Sequence, residues 1–202
     1  MADETASPQS STRWLETSRG ILSYSELAPL LAERVLRVQE RIETDGYARC
    51  PVAEELILTL HHDFCGDLVP DWAGRWRTLA VRVGPHEPPP PPRVPEHMRQ
   101  YALDLAARLN DPLPLEQVPE ALAFAEGRLL SIHPFADFNG RLARLWLWEL
   151  MRRLRLPPVS LVSNEPVAVR TYLEALRAAD RLDYRPLEEL WRQRLAAAGK
   201  PE

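Results

Sequence analysis

Cysteine is scarce in this chain of 202 residues, in which Cys50 and Cys65 are the only two. Two cysteines cannot build the disulfide framework of a small secreted domain, and neither stands in a Cys-x-x-Cys or a cysteine–histidine zinc pattern. We therefore expect two reduced thiols and a cytoplasmic protein.

The chain also has no excess of basic residues. It contains 25 lysines and arginines and 29 aspartates and glutamates, which gives a formal net charge of −4. Proteins that bind nucleic acid generally carry a basic surface that displaces counterions from the phosphates. We therefore expect no nucleic-acid binding, although a local basic pocket remains compatible with this composition.

Long apolar runs are missing as well. No stretch approaches the roughly 20 apolar residues that a membrane-spanning helix needs. The N-terminal residues are acidic and polar, unlike a signal peptide, so no membrane contact is expected. Residues 1–12 mix Ser, Thr, Pro and Gln without periodicity, and we predict a disordered leader there.

Apolar patterns with the period of a helix are what the chain does contain. They predict helices at about residues 25–43, with Ser25 as the N-cap, and at 51–64, 98–109, 119–132, 142–154, 167–179 and 186–198. The run at 142–154 is apolar on nearly all sides, which places it in the middle of a bundle. The predicted fold class is therefore all-α, a helical bundle around a buried central helix, and the length suits a single domain.

One segment shows the alternation of a strand instead. Residues Thr78–Val83 alternate polar and apolar side chains and end at Gly84-Pro85. The proline run that follows, 88–92, offers no amide donors to a sheet, so this strand should keep an edge free to pair with another chain. Such a run also occurs in stiff linkers and SH3-type ligands, and these alternatives stay open.

Chemistry-bearing residues concentrate between His133 and Arg144, immediately before the apolar central helix. Asn139-Gly140 lies at the boundary of loop and helix, where Asn is a good N-cap and the first N–H groups have no helical partners. Such a helix end binds anions. Arg141 and Arg144 stand three residues apart, so both guanidinium groups can point to the same anion. A diphosphate or triphosphate is the expected guest.

Two residues of this stretch suit catalysis at a phosphate. Asp137 can hold Mg²⁺, because that cation favours one or two carboxylates plus substrate oxygens. His133 is of the residue type that takes a proton from an attacking hydroxyl near neutral pH. Structural alternatives exist for each residue: Asn-Gly marks hairpin turns, arginines solvate helix ends, and an acid near a helix N-terminus needs no metal. Their joint order and spacing favours the phosphate site.

The stretch resembles the signature of the Fic family, H-P-F-x-D/E-G-N-G-R-x-x-R, and departs from it at Phe138, where the family has its first glycine. Further similarities are Leu60-His61, Trp72-Ala73-Gly74 with Arg77, the segment before Gly84, the prolines before Val94 and Met98, and the run Tyr172–Leu187. The resemblance covers about residues 50–195. It implies a Fic domain at 50–198, preceded by a helical extension at 13–49.

The resemblance implies an enzyme, a nucleotidyltransferase that moves a nucleoside monophosphate onto a Tyr, Thr or Ser hydroxyl of a target protein. The donor would be ATP, with transfer of AMP, or another nucleoside triphosphate. His133 would be the general base, and Asp137 would bind Mg²⁺ at the nucleotide phosphates.

The remaining site residues follow from the same resemblance. The phosphate cradle would be formed by Phe138, Asn139 and Gly140, and the distal phosphates would be held by Arg141 and Arg144. A small β-flap would align a target segment along its free edge. It would be formed by Leu79, Ala80, Val81, Arg82 and Val83.

Phe138 leaves the donor open. Glycine permits positive φ and a close approach of backbone to phosphate, whereas phenylalanine tolerates neither easily, so a narrower cradle is expected. One alternative is a Fic-like toxin that transfers phosphate or another phosphate-containing group, with an antitoxin as inhibitory partner. Another is a non-catalytic adaptor that binds a peptide. Because His133 and Asp137 are both present, the enzyme is preferred.

Members of the family also carry an inhibitory helix of form S/T-x-x-x-E-G/N, whose glutamate pairs with the second arginine of the signature. The segment Thr12–Thr17 matches the Thr and supplies Glu16, but it lacks the final Gly or Asn. Two interpretations stay open. The segment inhibits the enzyme through Glu16 and Arg144, or it is an ordinary N-terminal helical turn.

Overall fold

The computed structural model describes residues 13–110, 112–161 and 163–198. Within these ranges the chain forms seven α-helices and one antiparallel pair of strands, in agreement with the predicted all-α class. In chain order they are β1 (Trp14–Thr17), β2 (Gly20–Ser23), α1 (Tyr24–Glu43), α2 (Glu54–Cys65), α3 (Val94–Arg108), α4 (Val118–Ile132), α5 (Asn139–Arg153), α6 (Pro166–Ala179) and α7 (Arg185–Ala198). None of these helices is both long and apolar enough to cross a membrane. The predicted leader at 1–12 lies outside the described residues.

Helix α5 is the central helix that the apolar run predicts. Leu142 and Trp146 are at most 1% exposed, and the helix packs against α1, α2 and α4. The buried Glu149 is neutralised within the helix by Arg152 and Arg153, at 2.9 and 2.6 Å. The prediction of a buried helix in the middle of a bundle is confirmed, and it places the start of α5 inside the domain.

The N-terminal part of the chain differs from the helical extension predicted at 13–49. Strands β1 and β2 form an N-terminal hairpin, in which Trp14 pairs with Ser23 and Thr17 with Gly20. Gly20 takes a φ of 96°, which allows the tight reversal between the strands. Exposed and half-buried side chains alternate along β1, a period of two that belongs to a strand and not to a helix.

Helix α1 is capped by Ser23 and not by the predicted Ser25. The Ser23 hydroxyl accepts from the Glu26 N–H at 3.3 Å, and the Glu26 carboxylate accepts from the Ser23 N–H at 2.8 Å, which makes a capping box. On its inner face Leu27 and Leu31 belong to the same hydrophobic cluster as the side chains of α5. The extension is therefore part of the domain core.

The prediction of a strand at Thr78–Val83 is wrong. Residues 78–86, called the flap below, are irregular, with a bend at Leu79 and a turn at Gly84-Pro85, and pair with neither strand of the described sheet. They form one isolated bridge, between Val83 and His86, with two N–H···O distances of 3.0 Å. A longer hairpin cannot form because the prolines at 88–92 have no N–H donors. The flap therefore depends on contacts outside a sheet for its position.

Candidate active site

The loop between α4 and α5, residues 133–138, brings the predicted catalytic residues to the start of the central helix. At the end of α4, His133 takes a left-handed φ of 50°, and its N–H donates to the Leu129 carbonyl at 3.0 Å. Immediately before α5, Phe138 has a φ of 64°. Two left-handed residues in so short a loop turn the chain back on itself.

Asn139 closes this loop with a side chain that is 1% exposed. Its Oδ1 accepts from the Phe135 N–H and its Nδ2 donates to the Phe135 carbonyl, both at 3.0 Å. Asn139 is thus the first residue of α5 and not the predicted N-cap, a position that Phe138 holds without a side-chain hydrogen bond. The N–H groups of Arg141 and Leu142 donate to the Phe138 carbonyl, both at 3.0 Å. An anion at this helix end would therefore use the N–H groups that come before them.

The first turn of α5 has open space beside Gly140. Apart from the helix backbone and its chain neighbours, no atom of the described residues lies within 4 Å of a Cβ built on Gly140. The ring of Phe138 is instead 1% exposed and packs against Trp72 and Phe64, at centroid distances of 5.5 and 5.7 Å. The side chain that replaces glycine therefore lies in the core, while the narrowing of the cradle stays a prediction. Which donor the cradle prefers stays a prediction.

Arg141 and Arg144 follow on the first two turns of α5, and both are half-buried. Burial lowers the pKa of Arg144, and the charge of Arg141 lowers it further, against the opposing effect of Tyr172 and Glu126. The Glu126 carboxylate accepts from the Tyr172 hydroxyl of α6 at 2.7 Å and from Trp191 Nε1 of α7 at 2.8 Å, so it is already engaged by these two helices. Two neighbouring cations that are partly removed from water favour an anion between them.

Asp137 lies in the middle of the loop and is 2% exposed. Its Oδ1 accepts from the Phe138 N–H at 2.7 Å, while its Oδ2 contacts the Arg13 guanidinium at 3.3 Å and the Tyr24 hydroxyl. The described ranges contain no group of three His, Cys, Asp or Glu side chains placed to share a metal ion. A single carboxylate at a phosphate site nevertheless fits Mg²⁺, which takes its other ligands from phosphate oxygens and water.

The predicted inhibitory segment has a different structure. Residues 14–17 form strand β1 and not a helical turn, and Glu16 is exposed on it. From this part of the chain it is Arg13 that reaches the candidate site, through Asp137. A regulatory pairing of Glu16 with Arg144 stays a prediction.

Sequence reasoning gave His61 no function, yet its side chain supports the loop at residues 133–138, called the motif loop below. Its ring stacks on Phe135 with a centroid distance of 3.7 Å and an interplanar angle of 5°. Its Nδ1 lies 3.0 Å from the Gly74 nitrogen and accepts that N–H, so the proton is on Nε2, which donates to the Asp137 carbonyl at 3.3 Å. Burial lowers the pKa of His61 to about 3, which keeps the ring neutral. The sequence did contain one signal of this role, since His61 lies on the apolar face predicted for this helix.

The flap lies beside the turn that carries His133. His133 is 2% exposed, and its carbonyl accepts from Arg77 Nε at 2.8 Å. Leu79 is 72% exposed; Ala80 and Arg82 are also exposed, and Val81 and Val83 are half-buried. The structure thus brings the base candidate, the carboxylate, the cradle and the arginines to one end of α5, with the predicted target-aligning segment next to them.

A cavity of about 190 Å³ separates the end of the flap from α4 and α6. Its lining includes Val83, Leu130, Leu173, Leu176 and Asp180. At its edge, His86 Nε2 lies 2.8 Å from the Ser131 carbonyl and 3.6 Å from Asp180 Oδ1. The cavity therefore combines apolar side chains with the polar groups of His86, Arg177 and Asp180.

Comparison with known proteins identifies one family for this site. Residues 51–151 match the model of the Fic/DOC family. The protein adenylyltransferase fic-1 of Caenorhabditis elegans is 40% identical over 132 residues, which cover 64% of this chain and 24% of that protein. The chain thus spans about a quarter of the length of the curated relatives that head the comparison.

Solved structures have the same fold. A Fic-1 fragment from C. elegans is 30% identical, with a TM-score of 0.59, and the match covers 83% of this chain and 47% of that one. The BepC protein of Bartonella tribocorum, solved with bound AMPPNP, is 17% identical with a TM-score of 0.69, and the match covers 95% of this chain and 96% of that chain. At 17% identity this second match shows the fold alone.

Proposed function

Because the chain belongs to the Fic/DOC family, we propose that it is a protein adenylyltransferase, which transfers AMP from ATP to a hydroxyl side chain of a target protein. One observation carries the proposal: there is open space beside Gly140 in the first turn of α5. In the sequence His133 precedes this position, and Arg141 and Arg144 follow it on the same helix. N–H groups and two guanidinium groups together suit a polyphosphate. The name of the relatives, protein adenylyltransferase, supports ATP as the donor.

In the proposed reaction His133 takes the proton of the target hydroxyl, and the hydroxyl oxygen forms a bond to the α-phosphorus of ATP. The bond from this phosphorus to the bridging oxygen breaks, so pyrophosphate leaves and AMP stays on the target oxygen. Arg141 and Arg144 stabilise the charge that develops on the leaving pyrophosphate. Asp137 would hold Mg²⁺, which supplies positive charge to the phosphate oxygens when bound. The flap aligns the target backbone.

The cavity beside the flap suits the base of the nucleotide. Leu173 and Leu176 line it and offer apolar surface to the faces of a planar ring. The Asp180 carboxylate accepts a hydrogen bond from an exocyclic amino group, which adenine carries. On this proposal, Asp180→Ala weakens the binding of ATP but leaves the binding of pyrophosphate unchanged, as isothermal titration calorimetry would measure.

The test of the function compares ATP labelled at the α-phosphate with ATP labelled at the γ-phosphate. The proteins are the wild type, His133→Ala and the control His62→Ala, whose imidazole is 66% exposed on α2. We expect α-label on protein for the wild type and the control, and none for His133→Ala. Label from the γ-position alone would favour phosphate transfer instead, and no label that depends on His133 would favour the peptide-binding adaptor.

A further inference from the structure

Arg77 is an almost completely buried cation, 4% exposed, and its side chain donates to backbone carbonyls of distant residues. The distances are 2.8 Å from Nε to the His133 oxygen, 3.0 Å from Nη1 to that of Leu79, and 2.5 and 3.4 Å from Nη2 to those of Pro89 and Ile132. The backbone N–H of Arg77 also donates to the Pro134 carbonyl at 2.9 Å. One residue thus collects carbonyls from three segments of the chain.

The first of these segments is the end of α4 with the turn at His133. Carbonyls at a helix C-terminus have no helical donor, and they carry the negative end of the helix dipole. They therefore suit a buried cation. Burial lowers the pKa of Arg77, but a guanidinium group stays charged in proteins.

The second segment is the flap, which has few other connections to the site. At its far end, His86 Nε2 lies 2.8 Å from the Ser131 carbonyl. At its near end, the connection is the bond from Arg77 to the Leu79 carbonyl, 3.0 Å long. The connection through Arg77 differs from the one through His86, because the same guanidinium also donates to the His133 carbonyl.

We propose that Arg77 is a positioning residue that sets the distance between the flap and the His133 base. The inference rests on the proposed function, in which the flap carries the target and His133 takes its proton. A planar guanidinium reaches carbonyls in several fixed directions at once, whereas a lysine ammonium is a single point charge, so lysine cannot replace Arg77. The hydrogen bonds of Arg77 reach the flap, which lines the proposed cavity for the base, but not the residues of the cradle at the start of α5. Affinity for pyrophosphate, which uses the cradle alone, should therefore be independent of Arg77.

The test uses Arg77→Lys and Arg77→Ala, with Arg75→Lys as the control. Arg75 is exposed two positions away, and its Nη1 donates to the Asp71 carbonyl at 3.0 Å. Three quantities are measured on the full chain: the single-turnover rate of self-labelling at saturating α-labelled ATP, the Kd for pyrophosphate, and amide hydrogen exchange of residues 78–86. For Arg77→Ala a fourth quantity is measured, the recovery of the labelling rate when free guanidinium ion is added to replace the missing group. A concentration of about 10 mM is too low to denature the protein.

We expect Arg77→Lys to slow labelling about 10- to 100-fold, the effect of a misplacement near 1 Å. The Kd for pyrophosphate should stay within about twofold, since phosphate binding at the start of α5 does not use the flap. Exchange should accelerate in residues 78–86 and not in the helices. Guanidinium should restore part of the rate of Arg77→Ala, and Arg75→Lys should behave as the wild type.

An unchanged labelling rate together with unchanged exchange at 78–86 would overturn the proposal. Faster exchange throughout the domain, with a lower Tm, would overturn it as well, because Arg77 would then be a general stabilising residue. Failure of the proposed function is recognised separately, as a wild type without label that depends on His133. In that case the exchange of residues 78–86 still decides whether Arg77 holds the flap.

Discussion

Phe138 combines an unfavourable backbone with a favourable side chain. A left-handed φ costs a residue other than glycine about 1–3 kcal/mol, whereas its ring is buried against Phe64 and Trp72. We expect Phe138→Gly to lower the free energy of unfolding by about 2–4 kcal/mol, because loss of the ring outweighs relief of the strain. Urea denaturation measures this change.

The matched control is Phe138→Leu, which keeps the strained φ and most of the burial. It should lower the free energy of unfolding by only about 1 kcal/mol. Labelling by folded Phe138→Gly should persist, since the ring is packed in the core and its contact with the phosphate residues is with the Arg141 guanidinium, 5.8 Å from the ring centroid. A Phe138→Gly protein more stable than the wild type would mean that the strain dominates.

His61 makes the stability of the fold depend on pH. Burial lowers its pKa from 6.5 to about 3 in the folded protein, while the unfolded chain titrates near 6.5. Between these two values the unfolded state binds more protons, so the free energy of unfolding decreases as the pH falls through this window. The contribution of His61 should reach about 2 kcal/mol at about pH 5. Urea denaturation at that pH and at a pH above 7 measures it.

Carboxylates also titrate in this range, so the contribution of His61 has to be isolated by comparison. His61→Asn should reduce the pH dependence relative to the wild type, and His62→Asn, at the exposed neighbouring position, should not. Equal pH dependence in all three proteins would show that His61 is protonated in the fold.

Among the elements, the N-terminal hairpin holds a cation, Arg13, next to the candidate metal ligand, since Arg13 directly precedes β1. Ser18 fastens the tip of the hairpin to the body, with its N–H donating to the Leu68 carbonyl at 2.8 Å and its hydroxyl to the Asp67 carbonyl at 2.6 Å. At the other end, Arg13 lies 3.3 Å from Asp137 Oδ2. A cation at this carboxylate would therefore compete with the guanidinium of the chain itself.

We predict that Arg13→Gln lowers the Mg²⁺ concentration for half-maximal labelling about threefold to tenfold. The reason is that Arg13 is half-exposed, so its charge opposes the metal through partly solvated space and the effect is moderate. Magnesium titration of α-label transfer measures it. Arg19→Gln, on the exposed tip of the same hairpin, is the control. Equal magnesium requirements in all three proteins would contradict the prediction.

The helices and the strands differed in how well the sequence predicted them. Helix-period apolar patterns located α1 to α7, because one buried face forces the repeat. Alternation at Thr78–Val83 predicted a strand that lacks a partner, whereas the true strands lie in residues predicted to be helical. Strand pairing depends on donors elsewhere in the chain, which a local pattern does not contain.

The residues of the candidate site also differ in how well the sequence predicted them. The motif residues 133–144 were predictable because they are contiguous and their order carries the chemistry. Arg13, His61 and Arg77 were not assigned to the site, although each contacts the motif loop. These contacts join segments far apart in sequence, and only the fold brings them together.

For the whole molecule, the boundary between the extension at 13–49 and the domain at 50–198 does not divide the core. Leu31 of α1, Leu142 of α5 and Trp191 of α7 belong to one hydrophobic cluster. The family model begins at residue 51, yet α1 packs directly on the central helix. We therefore expect α1 to stabilise the start of α5, and with it the candidate site.

The test is a cavity in α1. Leu31→Ala should lower the free energy of unfolding by about 2–5 kcal/mol, because Leu31 is 0% exposed. Leu36→Ala on the same helix, where the side chain is 66% exposed, should change it by about 0.5 kcal/mol or less. Far-ultraviolet circular dichroism and tryptophan fluorescence should report one coincident transition, since one core unfolds cooperatively. If Leu31→Ala instead gave two separate transitions, α1 would be an independently folding extension.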